Sequence, residues 1–176
     1  VSFTEFDVGD EHIAIIFNQA DKLQEAPLVR IHSECLTGDV FHSSRCDCGE
    51  QLNETIDSMK DKGGIILYLR QEGRGIGLYN KIDAYVLQSE GMNTYEANQH
   101  LGFKDDERTF EAAVSMLQAL SVKSLQLITN NPRKIAAMKE SFELIAQVNT
   151  QLHIKDDNTQ YLKTKKMHGD HHLDID

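Results

Sequence analysis

Gly64-Ile65-Ile66-Leu67-Tyr68-Leu69-Arg70-Gln71-Glu72-Gly73-Arg74-Gly75-Ile76-Gly77 decides the class of this chain. Its short apolar run predicts a buried strand from Gly64 to Leu69. Glycines 73, 75 and 77 then turn the chain into a helix over Gly77 to Ser89, whose Leu78, Ile82, Tyr85 and Val86 form an apolar stripe at helical spacing. The same order of strand, turn and helix returns at Leu125 to Thr129, where Asn131 is a candidate N-cap and Pro132 takes the first helical position. Upstream, Gln51 to Lys62 predicts a helix with Leu52, Ile56 and Met59 on one face, stopped by Gly63-Gly64. His12 to Phe17 and Leu28 to Ser33 read as strands, and Phe110 to Leu120 as a further helix. Proline occurs only at Pro27 and Pro132, and no linker or repeat interrupts the pattern. The expectation is an α/β fold, a single compact domain with a mixed sheet flanked by helices.

A chain of 176 residues with 40% hydrophobic content is long enough to bury a core. Its net charge of −10 argues against a nucleic-acid or anionic-membrane surface, since both require a basic footprint. No apolar run reaches transmembrane length. Three cysteines, an odd number, with no apolar signal segment ahead of them, fit a reducing cytoplasm and metal-bound thiolates better than disulfides.

Those cysteines are spaced as Cys35, ten residues, then Cys46-Asp47-Cys48. Three soft thiolates make an incomplete zinc cage. Two closures answer it: a histidine, His32 or His42, completing a structural site, or a water completing a catalytic one. In the second case the metal brings the pKa of bound water near neutrality. Nucleobase deaminases use a comparable three-ligand zinc with a glutamate shuttle, and Glu34 precedes Cys35 here, but their His-x-Glu and Pro-Cys-x-x-Cys spacing is absent.

The glycine-rich turn after Leu69 matches neither the dinucleotide fingerprint nor the P-loop. Arg70 and Arg74 give it planar forks suited to phosphate or carboxylate. At Thr129-Asn130-Asn131-Pro132-Arg133-Lys134, a lysine in the first helical turn opposes the helix dipole unless an anion meets it. The acids of Lys104-Asp105-Asp106-Glu107-Arg108 read most simply as capping charges for the Phe110 helix, with Asp106 as a general base the sharper alternative. Tyr85, on its apolar stripe, reads as a packed core tyrosine.

Together these segments resemble the GTP cyclohydrolase II family. The resemblance is carried by Val29 to Asp39, Arg45-Cys46-Asp47-Cys48-Gly49, Arg70 to Gly77, Glu96-Ala97-Asn98 with Leu101-Gly102-Phe103, and Thr129 to Pro132, in the family's order and near its spacing. It implies an enzyme of the first step of riboflavin synthesis that opens the imidazole ring of GTP. Formate from carbon 8 and pyrophosphate are released, leaving a diaminopyrimidinone ribosyl phosphate. It further implies zinc on Cys35, Cys46 and Cys48 with water as fourth ligand, magnesium with the GTP phosphates, a homodimer and a cytoplasmic location. The matching GTP-contact positions are Arg30, Ile31, His32, Ser33, Glu34, Gln51, Glu72, Gly73, Arg74, Thr94, Thr129 and Lys134. Glu72 is suited to guanine N–H donors, the cations to the triphosphate. Tyr85 matches the family's catalytic tyrosine, Asp106 its proton acceptor and Arg108 its nucleophile. Because a guanidinium is always protonated, a clamp on the leaving pyrophosphate answers the same requirement at Arg108.

The chain departs from the pattern at His42 and Ser44, between the cysteines, and at Asp83, where a basic residue is usual. His42 is thereby an extra candidate ligand. The expected organisation is one domain over residues 1–167 and a flexible His/Asp-rich tail over 168–176. Two other functions fit the same motifs: a GTP-binding zinc module without full turnover, and an enzyme that stops at the formylated pyrimidine.

Overall fold

The computed structural model describes residues 11–17, 26–151, 153–159, 162, 163 and 166. The expected boundary between a domain and a tail at residue 168 lies outside the described residues. In chain order the elements are β1 (Ile13–Phe17), β2 (Leu28–Ser33), α1 (Leu36–Asp39), α2 (Cys48–Lys62), β3 (Gly64–Leu69), α3 (Leu78–Ser89), α4 (Thr94–His100), α5 (Glu111–Ala119), β4 (Ser124–Ile128), α6 (Pro132–Lys139) and β5 (Glu143–Val148). Short 3-10 turns lie at Glu72–Gly75 and Asp156–Asn158. The class is α/β, as expected. Five strands form one mixed sheet in the order β1-β3-β2-β4-β5, with β1 antiparallel to β3 and with β2, β4 and β5 parallel. None of the described helices is long and apolar enough to cross a membrane.

Two compact units divide the chain. The first comprises residues 1–32, 51–70 and 110–151 and contains the sheet. Within it, the period-two alternation of β3 serves two clusters. Ile65, Leu67 and Leu69 join Ala113, Met116 and Leu117 of α5 and Met138 of α6, while Ile66 joins Met59 of α2 and Ile128. A strand buried on both faces reads as a continuous apolar run, which is how Gly64 to Leu69 reads. Each large apolar side chain so buried contributes about 1.5–3 kcal/mol of transfer free energy. The start of α6 follows its expected capping: the Asn131 side chain accepts from Arg133 N–H and Pro132 opens the helix. Strand β5 escaped the sequence reading because this edge strand is largely exposed and carries little apolar alternation.

The second unit comprises residues 33–50, 71–109 and 152–176 and holds α1, α3 and α4. Helix α4 begins with a capping box: Asn93 accepts from Tyr95 and Glu96 N–H, and the Glu96 side chain accepts from Asn93 N–H. Two expectations are corrected here. The apolar stripe of α3 does not define its buried face. Ile82 and Val86 are 44% and 56% exposed, Tyr85 is half-buried, and the buried residues are Lys81 and Ala84. The helix turns its lysine inward because paired acceptors wait there. Nor does an acid cap α5. Its N-cap is Phe110, without a side-chain cap, and Asp106 accepts instead from Arg108.

Candidate active site

In the second unit, Cys35 stands at the N-cap of α1, where its N–H donates to Asp39 Oδ2 at 3.0 Å. Cys48 is the first residue of α2, three residues earlier than the helix start expected from the sequence, and Cys46 lies two positions before it. The three sulfur atoms all lie within 4.8 Å of one another, with Cys35 and Cys46 Sγ 3.7 Å apart. This is about the edge of a tetrahedron with metal–sulfur bonds near 2.3 Å, the length typical of zinc thiolates. Among the described residues neither candidate histidine joins this group. His42 is exposed in the loop between the cysteines. His32, in the first unit, stacks on Tyr68 with ring centroids 5.5 Å apart.

Backbone packing holds the trio together. A Cβ at Gly38 would meet Cys46 Sγ at 2.8 Å and Cys35 Sγ at 3.2 Å, and one at Gly49 would overlap the Gly38 carbonyl oxygen. Gly38→Ala is therefore expected to weaken metal binding at the trio. The overpacking cost of about 1–3 kcal/mol corresponds to roughly a fivefold to hundredfold loss of affinity, readable by chelator competition. The segment after residue 152 also reaches this loop. Ser44 Oγ donates to Asp157 Oδ2 at 2.6 Å, Lys155 Nζ donates to Cys46 O at 3.4 Å, and Lys155 pairs with Glu50.

The electrostatics suit a cation. Hydrogen bonds from Cys46 and Cys48, with help from Lys81, hold the Cys35 thiol far below its ordinary value despite burial. Cys46 is pushed up to about 11, mainly by its hydrogen bond to Cys35 with burial adding to it, and Cys48 is pushed well up by its hydrogen bonds to Cys35 and Cys46 and by burial. The trio by itself thus favours a single thiolate, whereas a soft divalent ion makes all three favourable. The donor set fits zinc.

Lys81 escaped the sequence reading. Its Nζ donates to Cys35 Sγ at 3.2 Å, Thr37 Oγ1 at 2.9 Å and Glu72 Oε1 at 2.8 Å. Glu72 Oε1 also accepts from Gly73 N–H at 2.8 Å, and Oε2 accepts from Leu36 N–H at 2.6 Å. The carboxylate expected to read guanine is therefore already part of the scaffold around Cys35. Tyr85 Oη lies 3.5 Å from Thr37 Oγ1, and the Arg45 guanidinium sits 5.1 Å from its ring centroid. Burial raises the Tyr85 phenol above its ordinary value, so it is a neutral hydroxyl at pH 7.

Asp106 and Arg108 form a bidentate pair, with Arg108 Nε donating to Oδ1 at 2.8 Å and Nη2 to Oδ2 at 2.7 Å. Arg108 Nη1 donates to Ser33 Oγ at 3.3 Å. Arg74 has a positive φ of 63°, and its guanidinium lies 4.5 Å from the Tyr95 ring centroid. Thr94 opens α4, and Glu34 lies between Ser33 and Cys35.

The first unit holds the other candidates. Arg30 Nη2 donates to Gln51 Oε1 at 2.7 Å and Nη1 to Ile128 O at 3.3 Å. Lys134 Nζ donates to Ile31 O at 2.8 Å and lies 5.7 Å from the Phe110 ring centroid. Thr129 Oγ1 accepts from Asn131 N–H at 3.0 Å. In the second unit the cysteines, Glu72 and Tyr85 are linked through Lys81 and Thr37.

Comparison with known proteins is consistent with this chemistry. Residues 1–149 match the family model described as GTP cyclohydrolase II. The chain is 65% identical over 176 residues to the GTP cyclohydrolase-2 of Vibrio vulnificus (strain CMCP6), covering 99% of this chain and 89% of that protein. It is equally similar, at 65% with the same coverage, to that of Vibrio cholerae serotype O1. Identity to the GTP cyclohydrolase-2 of Haemophilus influenzae (strain PittEE) is 45% over 175 residues, 98% of this chain and 81% of that protein.

Proposed function

The chain belongs to the GTP cyclohydrolase II family, and on that premise we propose that it is a zinc-dependent hydrolase opening the imidazole ring of GTP. The products are formate, pyrophosphate and a diaminopyrimidinone ribosyl phosphate. The carrying observation is the convergence of Cys35, Cys46 and Cys48 within 4.8 Å, with Tyr85 reaching the same cluster through Thr37. When bound by these cysteines, zinc supplies a Lewis acid that makes water nucleophilic near neutral pH.

The remaining work falls to the chain's own side chains. Tyr85, a neutral hydroxyl held near Thr37, is placed to orient a water or to donate to the opening ring. Arg108 serves as the clamp on the leaving pyrophosphate. Asp106 fixes its guanidinium plane and stands as the proton acceptor of the reaction. GTP itself is taken by Arg30 to Glu34, Gln51, Glu72 to Arg74, Thr94, Thr129 and Lys134, with magnesium on its phosphates. A cytoplasmic homodimer completes the proposal.

The test is to incubate zinc-loaded protein with GTP and magnesium and to follow the products by NMR. Formate, pyrophosphate and the pyrimidine are expected in equal amounts. Intact GTP would sink the enzymatic reading, and pyrophosphate without formate would assign the chain to the formylated product instead.

A further inference from the structure

Lysine is almost never buried unless paired. Lys81 is 9% exposed, on a helix that leaves Ile82 and Val86 outside. A helix that exposes branched apolar side chains to bring in an ammonium does so only where that ammonium is fully satisfied. Here its three N–H donors meet three acceptors: Cys35 Sγ, Thr37 Oγ1 and Glu72 Oε1. Room for the stem comes from Gly73, whose positive φ of 62° suits glycine and where a Cβ would come within 3.0 Å of Lys81 Cβ.

The acceptors share one purpose. Glu72 Oε2 holds the N–H of Leu36, the residue after Cys35, so Glu72 anchors the backbone beside the ligand while Lys81 anchors the ligand's sulfur. The charges also call for it. Three thiolates around a divalent cation carry one net negative charge. The Glu72 carboxylate, also buried, adds another close by. Lys81 is the cation placed against both.

We propose that Lys81 is a positioning residue of the metal centre: it supplies the counter-charge of the three-cysteine set and locks Cys35 and Glu72 into one rigid unit. This rests on the zinc reading of the trio. It assigns Lys81 no contact with GTP. Partners outside the ligand shell orient ligands and tune the metal, and losing one typically costs about 10- to 100-fold in metal affinity.

The experiment compares the parent chain with Lys81→Met, which keeps the stem without the charge, and Lys81→Arg, which keeps the charge. Zinc affinity is read by competition with a chromophoric chelator. The energy of the thiolate-to-cobalt charge-transfer band is read after cobalt(II) substitution. Lys81→Met is expected to bind zinc about 10- to 100-fold more weakly. Its cobalt band should move to lower energy, because the thiolate lone pair loses its ammonium hydrogen bond. Lys81→Arg should restore most of both. A defect in packing alone would leave the band where it was. Should Lys81→Met fail to fold, Glu72→Gln/Lys81→Met removes the stranded carboxylate as well, and the same two shifts are expected. Parental affinity and band energy in either variant overturn the role of Lys81 alone. A parent chain that takes up no zinc, or that keeps it in Cys46→Ser, overturns the zinc reading and this inference with it.

Discussion

A Cys46→Ser protein is expected to lose bound zinc and GTP ring opening together, with formate release falling to background. Cys46 is buried and its sulfur lies 3.7 Å from Cys35 Sγ, so no other described donor stands ready to replace it. Serine offers a neutral hydroxyl where a thiolate is needed, and two thiolates make a poor site for zinc. The fold should survive, because the large core clusters lie in the first unit and Cys46 belongs to the second. Metal analysis, formate NMR and circular dichroism on one sample check all three statements. Full ring opening in this variant would remove the metal from the proposed reaction.

The second large effect is expected at Arg108. With Arg108 as the proposed clamp, replacing it with alanine is expected to remove a fixed cation facing the charge that develops as pyrophosphate leaves, a loss of about 10²- to 10³-fold in kcat by analogy with other preorganised donors. Arg108→Lys should recover little. The geometry here is a planar fork, with Nε and Nη2 each on one Asp106 oxygen and Nη1 turned to Ser33, and an ammonium cannot reproduce it. The same fork bears on the nucleophile role. A guanidinium that stays protonated and has a carboxylate across two of its nitrogens has no lone pair to offer. Intact-protein mass spectrometry of quenched reactions is accordingly expected to show no nucleotide adduct. A guanylyl mass on the parent chain, absent in Arg108→Ala, would establish the covalent route instead.

Much of the fold was legible in local pattern. The apolar run at Ile65 to Leu69, the Gly63 stop and the Asn131-Pro132 start each depend on neighbours in sequence, and each lies where it was expected. Helix α4 was not expected, although Asn93 and Glu96 carry the legible spacing of a capping box. Strand β5 was not, because an exposed outer strand is stabilised by its hydrogen bonds to β4 rather than by a repeating apolar face.

The site divides along the same line. Sequence by itself pointed to the three cysteines as one metal-binding group, because two of them are two positions apart and every cysteine in the chain is used. It offered Asp106 as a general base beside a simpler capping role, and the family resemblance added Arg108. Only the tertiary structure decided that both candidate histidines stay outside the cysteine group and that Arg108 is forked on Asp106. It alone revealed that Lys81, at the edge of the apolar stripe of α3, is buried. The reason is the range of the forces involved. Periodicity records which face of a helix would favour an apolar neighbour. The rotation of α3 was settled instead by Cys35, Thr37 and Glu72, residues 46, 44 and 9 positions away that meet the lysine's three donors only after the chain has folded.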